Sequence, residues 1–508
     1  MKNRIKRVIF KDYNQNQIML LPPSLEELIE PNHPVRVVNQ IINTIDVDVL
    51  LRQYQGGGTS SYHPRMLLKV LIYSYLCNIF SSRKMEFALK ENIHFMWLSG
   101  MSRPDHNTIN RFRSERLKDV LKEIFAQVVL LLVESGHVSL HEIYVDGTKI
   151  ESRANRYTFV WGNAIKTSKA RMAEQLKSLW EYTQIVAKEE LQNTESIDFA
   201  VIGAEKVKQT IDSIDRALKS KEVDPEVKKK LNYARKHWPE NIKKYEEQEK
   251  ILGNRNSFSK TDPDATFMRM KEDYMKNGQL KPGYNVQIST NNQYIVNYSH
   301  HPNPNDTNTL PSHVEQFNKL YQGLPYAVVA DAGYGSEENY TLMEKLGIEA
   351  YIKYNSFNKE QHKATDKITS NLYYSKEQDC YYCPMGQKMS FIGTHENVTD
   401  KGFVQKYNNY QAIRCEGCPL RGDCNKVIRA KILIVNKNLT NHRSKAAELL
   451  KSEKGLYYRS KRGVDVEPVF GNIKYNKGFK RFYLKGIDKT EIETGLLALA
   501  HNLAKKAK

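Results

Sequence analysis

Two apolar segments of this sequence run directly into an aspartate and then into small residues. Residues 137–145 (HVSLHEIYV) alternate as a strand does and meet Asp146-Gly147-Thr148. Residues 326–330 form a short apolar strand that meets Asp331-Ala332-Gly333. Strand signals at 283–290 and 293–299, joined at Asn291-Asn292, predict a hairpin between them. Helices are expected near 309–321 and 337–346, and a further strand at 350–353. That order describes an α/β sheet interrupted by insertions. Ligands and catalysis gather at the carboxyl ends of such strands, which makes Asp146 and Asp331 candidates for one shared site. Asp306, in the loop after His300-His301, reads as a cap for the next helix.

Residues 1–135 read as helical. In 31–44, Val35, Val38, Ile41 and Ile42 recur at helical spacing. His63-Pro64 opens a helix to about Phe80, with Cys77 expected inside it as a buried small hydrophobe. A shorter helix covers 82–92, and a third begins at Asp105, a candidate N-cap. That third helix carries Asn107, Asn110, Arg111 and Arg113 around apolar Ile109 and Phe112, as the reading helix of a helix-turn-helix does. The Gly-rich stretch 55–61 follows no strand and lacks a Lys-Ser/Thr ending, which argues against a phosphate-cradling loop. From 165 to 252 the chain is charged and helical, with stripes Met172, Leu176, Leu179, Val186 and Val227, Leu231, Ala234, Trp238, the second broken by Pro239.

Charge points to a partner. With 77 Lys and Arg against 58 Asp and Glu, the 508-residue chain carries a formal +19, as expected of a protein that meets a polyanion, most often nucleic acid. Residues 471–508 hold nine Lys/Arg and three Asp/Glu. There Lys474, Lys477, Lys480 and Arg481 interleave with Tyr475, Phe479, Phe482 and Tyr483, a pattern suited to a DNA backbone and unstacked bases. The longest apolar run, 128–133, is six residues, so no spanning helix is expected, and the basic start of the chain lacks a secretory apolar stretch. A cytoplasmic protein is the expectation.

Five of the six cysteines, Cys380, Cys383, Cys415, Cys418 and Cys424, fall within 45 residues. In a long chain without a signal, such clustering predicts metal rather than disulfides. The two Cys-x2-Cys pairs have zinc-knuckle spacing; an iron–sulfur cluster is the rival, and one of the five thiols is spare in either case.

A third carboxylate, Glu467, lies in residues 462–474 (RGVDVEPVFGNIK). If 466–475 is a helix, Pro468 must sit in its first turn, and Glu467, Phe470, Gly471 and Lys474 share a face. Asp146-Gly-Thr148, 330–336 (ADAGYGS) and 466–474 (VEPVFGNIK) together resemble the three acidic motifs of DDE transposases of bacterial insertion sequences. The likeness is to the branch with an N-terminal helical DNA-binding region and a Cys-rich insert, and it spans nearly the whole chain. Residues 261–265 (TDPDA) and 283–287 (GYNVQ) share it. In one respect the chain departs from the family: the arginine expected four positions before the glutamate is Gly463 here, with Arg462 beside it and Tyr458 further back.

The resemblance implies a ribonuclease H-like α/β core in which Asp146, Asp331 and Glu467 bind two Mg²⁺ (or Mn²⁺) for DNA cleavage and strand transfer. It implies double-stranded DNA as partner, a homodimer assembled on paired DNA ends, and Arg462 among the DNA contacts. It also implies Cys383, Cys415, Cys418 and Cys424 as ligands of one structural Zn²⁺, leaving Cys380 spare. A DNA-binding derivative without catalysis and a metal-dependent nuclease without strand transfer are the alternatives. The expected organisation is a helical DNA-binding region at 1–135, core at 136–160, helical insertion at 161–280, core again at 281–372, a zinc module at 373–427, and the core's end with a basic segment at 428–508.

Overall fold

A computed structural model describes residues 24–54, 61–187, 189, 199, 203–271, 278–358, 372–399, 401–425, 427 and 429–508. The chain forms two compact units, one from residues up to Phe112 with Leu503–Lys508, the other from Arg113–Asn502. Among the described residues no helix is long and apolar enough to cross a membrane. The connector expected at 55–61 falls almost wholly outside the described residues.

The first unit is helical. Pro34–Thr44 and Pro64–Leu76 each start with a proline in the first turn, and the rings of His33 and His63 accept from the amides of Val35 and Arg65. Ser82–Glu91, Ile93–Ser99 and His106–Arg111 follow, around buried Val35, Val38, Leu68, Met85, Leu89 and Phe95. Asp105 caps the last of these, its carboxylate accepting from the Thr108 amide at 2.8 Å. The helix expected to run to Phe80 ends at Leu76, because Asn78 takes a left-handed backbone (φ 61°). Cys77 is therefore exposed at the C-cap, not buried as the sequence suggested. Residues Ile93–Ser99 add a helix that the sequence pattern did not predict.

The second unit is built on a mixed sheet. Strand β1 is Glu142–Glu151; β2, Phe159–Trp161, pairs with β3, Ser257–Ser259, off the main sheet. In the main sheet β4 (Thr266–Arg269) and β6 (Tyr294–His301) both pair with β5 (Leu280–Asn291). On its other side β5 pairs antiparallel with β1, which pairs in parallel with β7 (Ala327–Ala330), and β7 in parallel with β8 (Glu349–Ile352). The hairpin between β5 and β6 turns at Asn292 and Gln293, one residue later than expected, both with positive φ, as a turn matched to strand twist requires. A further correction concerns β1. It does not end at Asp146 but runs five residues beyond, because β5 keeps bonding it as far as Glu151.

Helix Glu453–Asp465 lies on this sheet, its Tyr458 ring against Tyr144 of β1 and Tyr351 of β8. Its last residue, buried Asp465, accepts from the Thr290 hydroxyl at 2.6 Å and the Gln293 amide at 3.1 Å. Those bonds pin the helix end to the β5–β6 hairpin, just before Glu467–Gly471.

Two insertions leave the sheet. Gly162–Val186, Ala204–Leu218 and Pro225–Leu252 pack round Leu179, Trp180, Ile211, Ile214, Trp238 and Ile242. Pro239 does not break the third helix as expected, since Trp238 and Ile242 on either side of it are held in that core. The Cys-rich segment is an antiparallel sheet of β9 (Tyr373–Ser375), β10 (Cys380–Tyr382), β11 (Lys388–Val398), β12 (Val404–Ala412) and β13 (Ile432–Val435). Met389, Tyr410 and Ala412 give it a small core of its own.

Candidate active site

Parallel pairing of β1 with β7 joins Tyr144 to Val329, and two further residues along each strand bring Asp146 and Asp331 to the same level. Asp146 is buried, its carboxylate accepting from the Gly147 amide at 2.8 Å. Asp331 caps the short turn Ala332–Tyr334 by accepting from the Gly333 amide at 2.9 Å, and its side chain is 44% exposed. Glu467 opens the helix Glu467–Gly471, with Pro468 in the first turn as expected, and is more exposed still. That helix is short: from Asn472 to Asn476 it becomes a π-turn, where an unbroken α-helix to residue 475 was expected.

One guanidinium joins the three carboxylates. Arg462 Nη2 lies 3.5 Å from Asp146 Oδ1 and 3.9 Å from Asp331 Oδ2, and its Nη1 lies 3.8 Å from Glu467 Oε1. The two aspartate oxygens are thus at most the sum of the first two distances apart. Burial pushes the Asp146 carboxyl above its usual range, the charge of Asp331 adds to this, and Arg462 and Lys271 oppose it. Nε of Arg462 is buried without a hydrogen-bond partner among the described residues.

Beneath Asp146 lies a polar floor that sequence reasoning missed. Asp306 does not cap a helix; Asn305 caps its turn instead, and Asp306 Oδ1 accepts from Asn285 Nδ2 at 2.7 Å and Gln287 Nε2 at 2.9 Å. The Tyr334 hydroxyl donates to Gln287 Oε1, and Lys271 Nζ donates to the Gly147 carbonyl at 2.9 Å. A signal was present: Asn285, Gln287 and Ser289 stand two apart on one face of a strand whose other face carries Tyr284, Val286 and Ile288.

The residues expected on DNA separate into two groups. Arg111 and Lys480 are exposed, Lys480 over the Tyr475 ring. Arg113, by contrast, is 3% exposed and faces buried Glu493 at 4.0 Å. It lies in a π-turn, Phe112–Arg116, whose wider winding departs from the α-helical spacing the sequence reading assumed. Lys474 is buried and donates to the Lys149 carbonyl at 3.0 Å; Lys477 is buried as well. Arg481 is engaged by the carbonyls of Ser152 and Ala154, both at 3.0 Å, and lies 3.6 Å from Glu151. Arg113, Lys474 and Lys477 therefore do not present surface charge, contrary to the sequence expectation.

None of the six cysteines is in a disulfide. Backbone amides of Gln387 and Lys431 donate to Cys383 Sγ at 3.3 Å and Cys415 Sγ at 3.4 Å, and Lys431 Nζ to Cys424 Sγ at 3.4 Å. Cys380 is buried, its thiol 3.9 Å from Gln378 Oε1. Cys418 lies in the turn before Arg421–Cys424, its carbonyl accepting from the Arg421 amide. Among the described residues no three His, Cys, Asp or Glu side chains converge as ligands of one ion. The donor chemistry nonetheless suits the metals that the resemblance implies: hard carboxylate oxygens gathered on one cation for Mg²⁺, and soft thiols with N–H groups aimed at sulfur for Zn²⁺.

Residues 382–507 match a family model described as Transposase DDE domain, and residues 23–115 one described as Transposase domain (DUF772). The first span holds Glu467 and Cys383 to Cys424; Asp146 and Asp331 precede it. No curated protein matches the chain.

Proposed function

We propose that this chain, a DDE-type insertion-sequence transposase by its two family matches, binds the ends of its element and catalyses DNA strand cleavage and strand transfer. The DDE match implies a ribonuclease H-like core. One observation carries the chemical reading: a single guanidinium lies within 4.0 Å of three carboxylates drawn from three distant segments of the chain.

In this reading Asp146, Asp331 and Glu467 hold two divalent metal ions. Bound there, Mg²⁺ or Mn²⁺ supplies Lewis-acid stabilisation of both the attacking and the leaving oxygen of an in-line displacement. The residues provide the rest. Buried Asp146 anchors the cluster at a fixed height on β1, while exposed Asp331 and Glu467 open it toward a phosphodiester. No side-chain nucleophile is needed, so the same cleft serves hydrolysis and then attack by the new 3′-hydroxyl. Because two ends must be cut together, the working form is a homodimer on paired DNA ends. Incubating the purified protein with DNA carrying the element's ends and Mg²⁺ should give cleavage and joined product. Cleavage without joining would leave a nuclease, and neither would leave a binder.

Exposed Arg111 contacts the backbone of the element's end. Arg111→Ala should weaken end binding and lower the slope of log affinity against log salt by about one phosphate contact. An unchanged slope would move that contact elsewhere, with Lys480 the next candidate.

Cys383, Cys415, Cys418 and Cys424 hold one structural Zn²⁺. The backbone amides of Gln387 and Lys431, already aimed at the Cys383 and Cys415 sulfurs, are the outer hydrogen bonds that orient thiol ligands round a metal. Elemental analysis should find about one zinc per chain, since a tetrahedral site takes four ligands. Cys418→Ser should lose it, and Cys380→Ser should keep it. Iron with sulfide, or no metal, would overturn the assignment.

A further inference from the structure

Arg462 touches all three carboxylates, yet holds none of them tightly. Its contacts, 3.5, 3.9 and 3.8 Å, are longer than the roughly 2.7–2.9 Å of a charge-assisted hydrogen bond. Its Nε is buried without a hydrogen-bond partner among the described residues. Three carboxylates facing one another through a partly buried cleft repel unless a cation stands among them, and here a side chain of the chain itself does so. The backbone bearing it is fixed: Arg462 sits one turn before the end of helix Glu453–Asp465, which Asp465 ties to Thr290 and Gln293.

We propose that Arg462 is a built-in counter-ion, which holds the three carboxylates in register in the metal-free protein and gives way when divalent metal binds. This rests on the carboxylate reading above and adds a positioning residue to it. Mg²⁺ takes carboxylate oxygens at about 2.0–2.1 Å, and a guanidinium cannot stay against the same oxygens. The loose, non-hydrogen-bonded contacts leave little to break at the exchange. Arginine and metal thus compete for one set of oxygens, and each weakens the other's hold.

Competition predicts a sign that no scaffolding role shares. Mn²⁺ titrated calorimetrically into the metal-free protein should bind Arg462→Gln about fivefold or more tightly than wild type, within the usual range of such couplings. In EDTA the variant should melt several degrees below wild type, and saturating Mn²⁺ should close the gap. Equal or weaker Mn²⁺ affinity would overturn the proposal, as would the same loss of Tm with and without metal. Should Arg462→Gln fail to fold in either condition, Arg462→Lys carries the test. A loss of Tm confined to EDTA, or none, supports the counter-ion role; an equal loss in both media overturns it. Asp331→Asn separates the two layers: if it and wild type take up Mn²⁺ alike, the carboxylate site itself falls. If Asp331→Asn loses Mn²⁺ while Arg462→Gln binds as wild type, only the counter-ion falls.

Discussion

Asp331→Asn should abolish strand cleavage and joining, by at least about a thousandfold, while leaving the fold and DNA binding intact. Loss of that size is expected if Asp331 is, as proposed, one of the carboxylates that would hold divalent metal, because such an ion would supply charge stabilisation to the in-line displacement. The structure makes this substitution clean. The Asp331 carboxylate has one backbone bond, accepted from the Gly333 amide at 2.9 Å, and the carbonyl of asparagine accepts it equally well. Its side chain is 44% exposed, so the change leaves no cavity. Melting temperature should therefore match wild type to within a few degrees, and binding to a labelled DNA end should be unchanged. Residual cleavage above a hundredth of wild type would remove Asp331 from the chemistry.

The parts of this architecture that local sequence dictates were legible. Asp105 as a cap, the proline opening the helix at 64, and β7 ending before Asp331 all follow from residues within one turn of the feature. What stayed hidden depends on partners far along the chain. Strand β1 passes through Asp146 because β5, some 140 residues later, supplies its ladder as far as Gly283 opposite Glu151. Arg113 and Lys474 look like surface cations by composition. Glu493 and the carbonyl of Lys149, each more than 300 residues away, draw them inside. The sheet of the Cys-rich segment escaped notice for another reason. Strand β11 is exposed along most of its length and carries no apolar alternation to announce it. Arg462 was read from resemblance as a DNA contact, one position away from where the family places its arginine. That its reach spans all three carboxylates is a matter of helix placement, which no spacing rule contains.

Gly147→Ala should be nearly as damaging as loss of a carboxylate, though nothing in its own chemistry is catalytic. Gly147 stands directly opposite Gln287 in the β1–β5 ladder. A methyl group there would collide with Gln287 Nε2 and come within 2.7 Å of Asp306 Oδ1. Gln287 cannot swing aside: it is wholly buried, and Asn285, Asp306 and Tyr334 all bond its amide. The strain must pass to the backbone of β1, whose next residue back is Asp146, a carboxylate that accepts from the Gly147 amide itself. Overpacking of this kind costs about 1–3 kcal/mol of stability. The same displacement of Asp146, on the order of an ångström, should cost about a hundredfold in cleavage. Gly463→Ala, beside Arg462 on an open helix face where an added methyl meets nothing, is the matched control. It should keep full activity and gain up to about 1 kcal/mol from better helix propensity. Denaturant melts and cleavage rates on the two variants decide the matter. Full activity in Gly147→Ala would mean that Gln287 and Asp306 yield, and that the polar floor does not hold Asp146 in place.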